Sequence, residues 1–470
     1  MTILPVTLLK GDKVRPETEY GDAIPTNMYA VTKEILGAAG YMLEYPGITL
    51  LTLGSGADRG AFYNERFKLH YRVSGNNLIS VPESGAPTVL GTITGSGQCS
   101  LINFYSFQTQ AIIGDGKMFL HDPIGGFREV TDVDLGTPLD GVWINGVYFM
   151  TDGEYIFHTD LNNESSINPL KFATAEFMPD PSLGVGKSQD NKAMVFGRYT
   201  IEYFADSASA NFAYSRVETR AIPIGIVSTH AKCQFSESWY ILGGRRNEAV
   251  AVYIVKGNSF TKVSSREIDK IIAKYKEPEL ADVRLEVRQE NNVTFLLVHL
   301  PSETLCFNES VAEVMGTEAA WCRLKTGAYE GNYRAINCIN DPRIAKWVCG
   351  DKFNEKIGYI DATSATQYDD KSEWELYTPF VDLENKSIHS VEIETIPGFT
   401  TKDDAKVAIS QTIDGHTYGS EYWMNYGKPG KYNTRFIIRR LGYCDNWVGF
   451  KFRGISDSRM AFALMEIDVD

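Results

Sequence analysis

Cysteine and histidine are scarce in this 470-residue chain, seven of each, and neither is grouped. Cys99, Cys233, Cys306, Cys322, Cys338, Cys349 and Cys444 are odd in number and never form C-x-x-C. No disulfide or zinc framework is therefore expected, and free, mostly buried thiols in a protein made in a reducing cytoplasm are. The histidines form no H-E-x-x-H, so metal chemistry has no support. Nucleotide and hydrolase motifs are also missing. There is no Walker G-x-x-x-x-G-K-[ST] and no G-x-S-x-G, and "LGSGADRG" (53–60) has the wrong spacing for G-x-G-x-x-G and reads as a loop. No apolar run approaches the roughly 20 residues of a bilayer span, so no membrane segment is expected. The first residues lack a basic stretch followed by an apolar one, so no signal peptide is expected either. Positive charge is in deficit, 46 Lys and Arg against 60 Asp and Glu, a formal −14 that disfavours general nucleic-acid binding.

What is abundant points to strands. The chain holds 25 Tyr, 24 Phe and 41 Gly, and is 43% hydrophobic. In "WINGVYFMTDGEYIFHTDL" (143–161), alternating apolar and polar residues break at Asp152-Gly153, the strongest short-range sign of a type I′ hairpin. Similar hairpins are read at Gly75-Asn76, Asp115-Gly116, Gly197, Gly243-Gly244, Gly257-Asn258 and Pro301-Ser302, with a last set across 336–361. The early turns recur every 37 to 46 residues, the period of propeller blades. A lone hairpin is marginal in water, and stacking blades about an axis buries its faces. The expected fold is all-β: a β-propeller of six to seven blades over 61–365, with 1–60 an arm and platform segment and 366–470 a β-rich C-terminal platform. Two packed sheets with long hairpins are the competing fold.

Two helical patches are read, one near "YAVTKEILGAAG" and one at "SSREIDKIIAKYK". In the second, Ser264 and Glu267 have capping-box spacing, and Ile268, Ile271, Ile272 and Tyr275 form an apolar stripe. After 365, segments such as "IHSVEIETIPGF", "RFIIRRLGY" and "MAFALMEIDV" read as longer strands.

Charge is uneven. Lys428, Lys431, Arg435, Arg439, Arg440, Lys451 and Arg453 fall in a stretch whose one acid is Asp445. On strand geometry Arg435 and Arg439, with Lys431, share a side opposite Phe436 and Ile438, and Lys451 and Arg453 share another. Three readings stand: a solvated face, a surface docking an acidic partner, and a surface touching DNA phosphates. The single catalytic temptation is "SQTIDGHTYG" (410–419). It is similar to the Asp-box turn of sialidase propellers but has Ser410 and Asp414 four apart instead of two. A glycosidase needs two carboxylates on one cleft, and the sequence nominates no pair. No enzyme activity, catalytic residue or cofactor is expected.

Several separated segments are familiar in order and spacing: "PTNMYAVTKEILGAAGYMLEYPGI" (25–48), "TIEYF" (200–204), "REIDKIIAKY" (266–275), "WCRLKTG" (321–327), "CGDK" (349–352), "QYD" with "LYTPF" (367–380), "TIDGHTYG" (412–419) and "RRLG" (439–442). Together they resemble the packaged-DNA stabilisation proteins of short-tailed lambdoid phages, the tail hub or nozzle family. The resemblance runs from about residue 20 to the C-terminus. It implies a structural virion component, assembled in the host cytoplasm, without catalytic residues. Six copies would form a ring below the portal and adaptor, extend the DNA channel, carry tailspikes and, with the tail needle, retain the genome. DNA would pass without sequence-specific binding. The resemblance also implies a propeller and a platform made from both chain ends. A carbohydrate-binding or carbohydrate-cleaving propeller is the alternative from another class.

Overall fold

The computed structural model describes residues 2–15, 19–35, 37–103, 108–175, 177–209, 212–290, 293–328, 331–395, 400 and 405–470. Strands dominate, and seven antiparallel sheets follow one another about an axis. Their first strands begin at residues 58, 100, 140, 182 and 225, then at 284 and 335. The two longer steps have a simple cause. The helix Arg266–Ile272 sits between blades five and six, and the helix Glu309–Met315 sits inside blade six. First strands of blades one to four touch in turn, Gly225–Ile226 of blade five meets Ala193–Gly197 of blade four, and Lys232–Phe235 of blade five meets the first strand of blade six. The first strand of blade seven meets those of blades six and one.

Closure of this ring uses a strand the sequence reading left in the N-terminal arm. Gly47–Leu53 pairs antiparallel with Lys356–Asp361 as the fourth strand of blade seven. Ile48 is fully buried there beside Tyr45, Cys349, Ile360 and Tyr368. A chain whose first and last propeller strands share a sheet cannot open a blade without separating them.

Blade three corrects the turn chemistry. Its two-residue turn is Asn145-Gly146, with φ of 49° and 85°, between Asp140–Ile144 and Val147–Thr151. The type I′ conformation needs two such residues, and Asn-Gly supplies them. Asp152-Gly153 begins a four-residue loop instead. Asp152 accepts from the backbone N–H groups of Glu154 and Tyr155, and Gly153 alone has positive φ. At Asp115-Gly116 the two-residue turn stands as read, with φ of 55° and 69°.

The helical readings divide. "YAVTKEILGAAG" is not helical: Met28–Val31 and Tyr41–Glu44 pair as a hairpin, and Leu36 lies outside the described residues. Its best helix formers lie in the connection, so packing against the sheet overrides propensity. Arg266–Ile272 is a helix with Ile268, Ile271 and Ile272 buried, but its cap is Ser265, whose hydroxyl accepts from the Ile268 N–H. Ser264 instead donates to Asp269 and accepts from the Val252 N–H, tying the helix to blade five.

Apart from the hairpin of Gly11–Val14 with Tyr20–Ala23, and Thr366–Gln367 and Asp370–Lys371 at the edge of blade seven, the remaining strands form a two-sheet sandwich from both ends of the chain. One sheet holds Thr2–Thr7, Met28–Val31, Tyr41–Glu44, Ala461–Val469, Lys386–Thr395 and Phe436–Cys444. The other holds Glu373–Tyr377, Val381–Asp382, Trp447–Ile455, Lys406–Thr412 and Tyr422–Asn425. Alternation sets the faces: Met465, Ile467 and Val469 are buried while Glu466 and Asp468 point outward. The segment 25–27 stitches the two bodies together. Thr26 exchanges backbone bonds with Glu375 of the sandwich, and Pro25 and Asn27 do so with Arg323 of blade six. Asn27, at φ 52° and buried, adds side-chain bonds to the carbonyls of Lys325 and Glu373.

Candidate interaction surface

The seven basic residues nominated by the sequence do not form one face. Phe436–Cys444 is the edge strand of the larger sandwich sheet, and Arg435, Arg439 and Arg440 are exposed along it. Arg440 has φ 66°, opposite a register shift at Ile388 and Ser390. A bulge and charged side chains on an edge strand discourage pairing with another sheet. Lys428 and Lys431 lie in the exposed turn before this strand, joined by a bond from the Lys431 N–H to the Lys428 carbonyl.

Lys451 and Arg453 belong to the other sheet. The Lys451 ammonium is 2.7 Å from Glu375. Arg453 reaches Glu373 at 2.8 Å and Glu421 at 2.7 Å, and stacks 5.4 Å from the Trp423 ring. Arg435 likewise pairs with Glu392 on the neighbouring strand. Those acids come from positions 373 to 421, outside the basic stretch, so a window along the chain does not register them. Arg439 has no ion pair among the described residues.

Other cations, unmarked in the sequence, are buried in the propeller. Arg72 joins blades one and seven: its Nε is 2.7 Å from Asp58, and its Nη2 donates to the Asn337 carbonyl at 2.9 Å. Its Nη1 donates to His70 Nε2 at 3.1 Å, so the His70 proton sits on Nδ1 and is donated to Asp341 at 3.0 Å. Burial pushes the His70 pKa down to about 4. Burial alone would raise the Asp341 carboxyl, but bonds from His70 and Arg343 hold it well below the usual range. "LGSGADRG" is a loop only at 54–57: Arg59 lies on the strand Asp58–Asn64, donates to the carbonyls of Gly75, Ile93, Thr94 and Gly97 and fixes the passage from blade one to blade two.

Charge also ties the inner strands of the blades together. Lys232 of blade five reaches Asp140 of blade three at 2.7 Å, past Gly184 of blade four, where a Cβ would stand 2.5 Å from the Lys232 side chain. Arg284 donates to His230 at 3.0 Å, and His299 to Glu286 at 2.9 Å. Burial lowers His230 to about 3 and His299 to about 4.

The Asp-box-like segment is a turn. Asp414 accepts from the N–H groups of His416 and Thr417 and from the Thr412 hydroxyl, and Gly415 takes φ 69°. These three donors hold its carboxylate well below the usual range, and no second carboxylate bonds to it. All seven cysteines are free thiols, six of them buried. Among the described residues, no group of three His, Cys, Asp or Glu could hold a metal ion, and no helix is long and apolar enough to cross a membrane.

A seven-bladed propeller whose ring is completed by an N-terminal strand, fused to a sandwich made from both termini, defines the class: a two-body, all-β propeller–sandwich protein. The comparisons narrow it. The family described as "Bacteriophage P22 Gp10, beta-propeller" matches residues 4–365, and "Bacteriophage P22 Gp10, beta-sandwich" matches 373–470. The chain belongs to this P22 Gp10 family. It is 29% identical over 489 residues, covering 100% of both chains, to the tail hub protein gp10 of Salmonella phage P22. By this kinship it is a phage tail hub protein, a component of the virion tail. Among solved structures it is similar to the Neurospora crassa Pan2 WD40 domain, at 8% identity and a TM-score of 0.43 over 67% of this chain and 95% of that one. It is also similar to a virginiamycin B lyase from Staphylococcus aureus, at 9% identity and a TM-score of 0.43 over 65% and 94%. Likenesses this distant carry no argument.

Proposed function

We propose that six copies of this chain form a ring below the portal and its adaptor, extend the DNA channel, hold the packaged genome, and carry tailspikes and the tail needle. The observation behind this reading is the end-to-end kinship with a tail hub across both bodies. Two physical features support it. A channel through which DNA slides should not grip phosphates, because each phosphate neutralised by Lys or Arg adds affinity, and the chain carries a formal −14. DNA would pass along the axis of the ring, between copies, not through any one propeller, whose inner strands are tied by side-chain bonds such as Asp140–Lys232. The mechanism is steric, without catalysis: the ring holds the exit shut until the needle leaves.

Attachment falls to the edge strand of the sandwich. Lys428, Lys431, Arg435, Arg439 and Arg440 meet an acidic adaptor or portal surface, while Lys451 and Arg453 serve their own sheet through Glu375, Glu373 and Glu421. The protein is monomeric alone and closes its ring on the adaptor, because a ring formed early would plug nothing. A cyclic ring needs two different contact patches per copy.

The test is to mix the purified protein with DNA-filled, adaptor-bearing heads and assay nuclease sensitivity of the genome. Protection that rises with bound protein is expected. Arg439→Glu with Arg440→Glu should leave the fold intact and abolish attachment. Heads that stay nuclease-sensitive with wild-type protein bound would overturn genome retention. Stable hexamers of the isolated protein by light scattering at micromolar concentration would overturn assembly on the adaptor.

A further inference from the structure

A cavity of about 480 Å³ opens where the propeller meets the sandwich. Four pieces of chain build it: the hairpin of Gly11–Val14 with Tyr20–Ala23, the helix Arg266–Ile272, the end of blade six at Arg323, and the sandwich strand Glu373–Tyr377. The turn at His416 completes the wall.

Its charges do not balance. Asp22, Glu267 and Glu375 line it, and each already has a cation: Lys10 at 3.1 Å, Arg15, and Lys451 at 2.7 Å respectively. Arg323 is engaged with Glu303 at 2.9 Å, just outside. Lys13 and Lys274 also line the cavity, and neither has a carboxylate partner among the described residues. Lys13 is the more exposed to repulsion. Its ammonium lies 5.8 Å from the centre of the Tyr377 ring, which Lys451 approaches at 5.6 Å. Burial, and then Lys451 with Arg323 and Arg15, hold the Lys13 pKa below its ordinary value against the opposing pull of Glu375. The side chains present therefore leave positive potential unanswered in a confined space.

We propose that this cavity seats a carboxylate-bearing segment of an acidic polypeptide, with the carboxylate between Lys13 and Lys274. A nucleic-acid strand fits the same place poorly. A duplex is far wider than the cavity, and a single strand repeats its charge every few ångströms and would meet Asp22 and Glu375 on the same walls. An isolated carboxylate flanked by peptide N–H groups suits both signs: the carboxylate answers the lysines, and the amides donate to the lining carboxylate oxygens. The segment would touch hairpin, propeller helix and sandwich strand at once, so its binding clamps the two bodies together. This inference does not depend on ring geometry or on the adaptor.

The experiment uses the full chain and capped pentapeptides Gly-Glu-Gly-Glu-Gly, with Gly-Gln-Gly-Gln-Gly as the neutral control and oligothymidylate as the nucleic-acid probe. Amine acetylation at each lysine is followed by mass spectrometry. A peptide this short binds with a dissociation constant of about 1 mM, so probes are used at about 10 mM. The glutamate peptide should slow acetylation of Lys13 and Lys274 at least about fivefold relative to the glutamine peptide, while exposed Lys33 and Lys406 are unchanged. Lys13→Gln should weaken binding of the glutamate peptide about tenfold in calorimetry without lowering the melting temperature, since Lys13 makes no ion pair among the described residues and sits among like charges. Equal labelling with both peptides overturns the proposal. So does protection by oligothymidylate but not by the glutamate peptide, which would make the ligand a nucleic acid.

Discussion

The propeller and the sandwich handle their polar groups in opposite ways. In the propeller, Arg59, Arg72 and Arg288 are almost wholly buried, and each is met by carbonyls, a hydroxyl or a carboxylate from another strand or blade. In the sandwich, Arg435 and Arg453 ride on the outer faces of sheets and pair with acids on neighbouring strands. The histidines divide the same way. His70, His121, His158, His230 and His299 lie in the propeller and all are shifted toward the neutral form by burial, whereas His389 and His416 of the sandwich reach solvent. A ring of blades converges on an axis, where polar first strands must satisfy one another. A two-layer sandwich can turn its charges outward.

That contrast predicts what acid does, and this is the largest effect. A histidine whose folded pKa lies below its unfolded value of about 6.5 binds fewer protons folded than unfolded, so stability falls as pH drops toward the folded pKa. His70 and His299 near 4 and His230 near 3 set a window from about 6.5 to 4. Each costs up to about 1.4 kcal/mol per pH unit there, so the three together should cost the propeller up to roughly 10 kcal/mol across it. Hydrogen exchange at pH 4.5 should show the blades opening before the sandwich. Simultaneous opening would break the comparison.

Next comes the clasp between blades one and seven. Arg72→Met leaves Asp58 buried without its cation and should cost about 3–5 kcal/mol in denaturant unfolding. Adding Asp58→Asn should recover part of it. Ile48→Ala removes the buried anchor of the closing strand, with an expected loss of about 2–5 kcal/mol and faster exchange in Lys356–Asp361. The smallest effect belongs to the sandwich face. Arg453→Ala should cost less than about 1 kcal/mol, because its pair with Glu421 is open to solvent and the buried Glu373 keeps Lys325 at 2.8 Å. A loss as large as that at Arg72 would remove the distinction between the two bodies.

The legible part of this chain was its local chemistry. Asp115-Gly116 and Gly75-Asn76 fall where two-residue turns form, and the long alternating strands after 385 are strands. Local patterns cannot tell which strand completes which sheet. Gly47–Leu53 alternates no better than its neighbours, and its partner lies about three hundred residues away. The same gap misled the reading of charge. The basic stretch was visible because its residues are close in sequence, while Glu373, Glu392 and Glu421, which neutralise part of it, are not. Nothing in the sequence marks Arg72 or Lys13, and only the topology sets one in a clasp and the other on a cavity wall. In "YAVTKEILGAAG", helix formers stand where sheet packing dictates a hairpin.

The most direct measurement is electron cryomicroscopy of DNA-filled, adaptor-bearing heads incubated with the purified chain. One closed ring of six copies is expected at the portal vertex, with the edge strand Phe436–Cys444 against the adaptor and the DNA path between copies. Heads carrying bound copies that do not close a ring, or rings with the propellers against the adaptor, would contradict it.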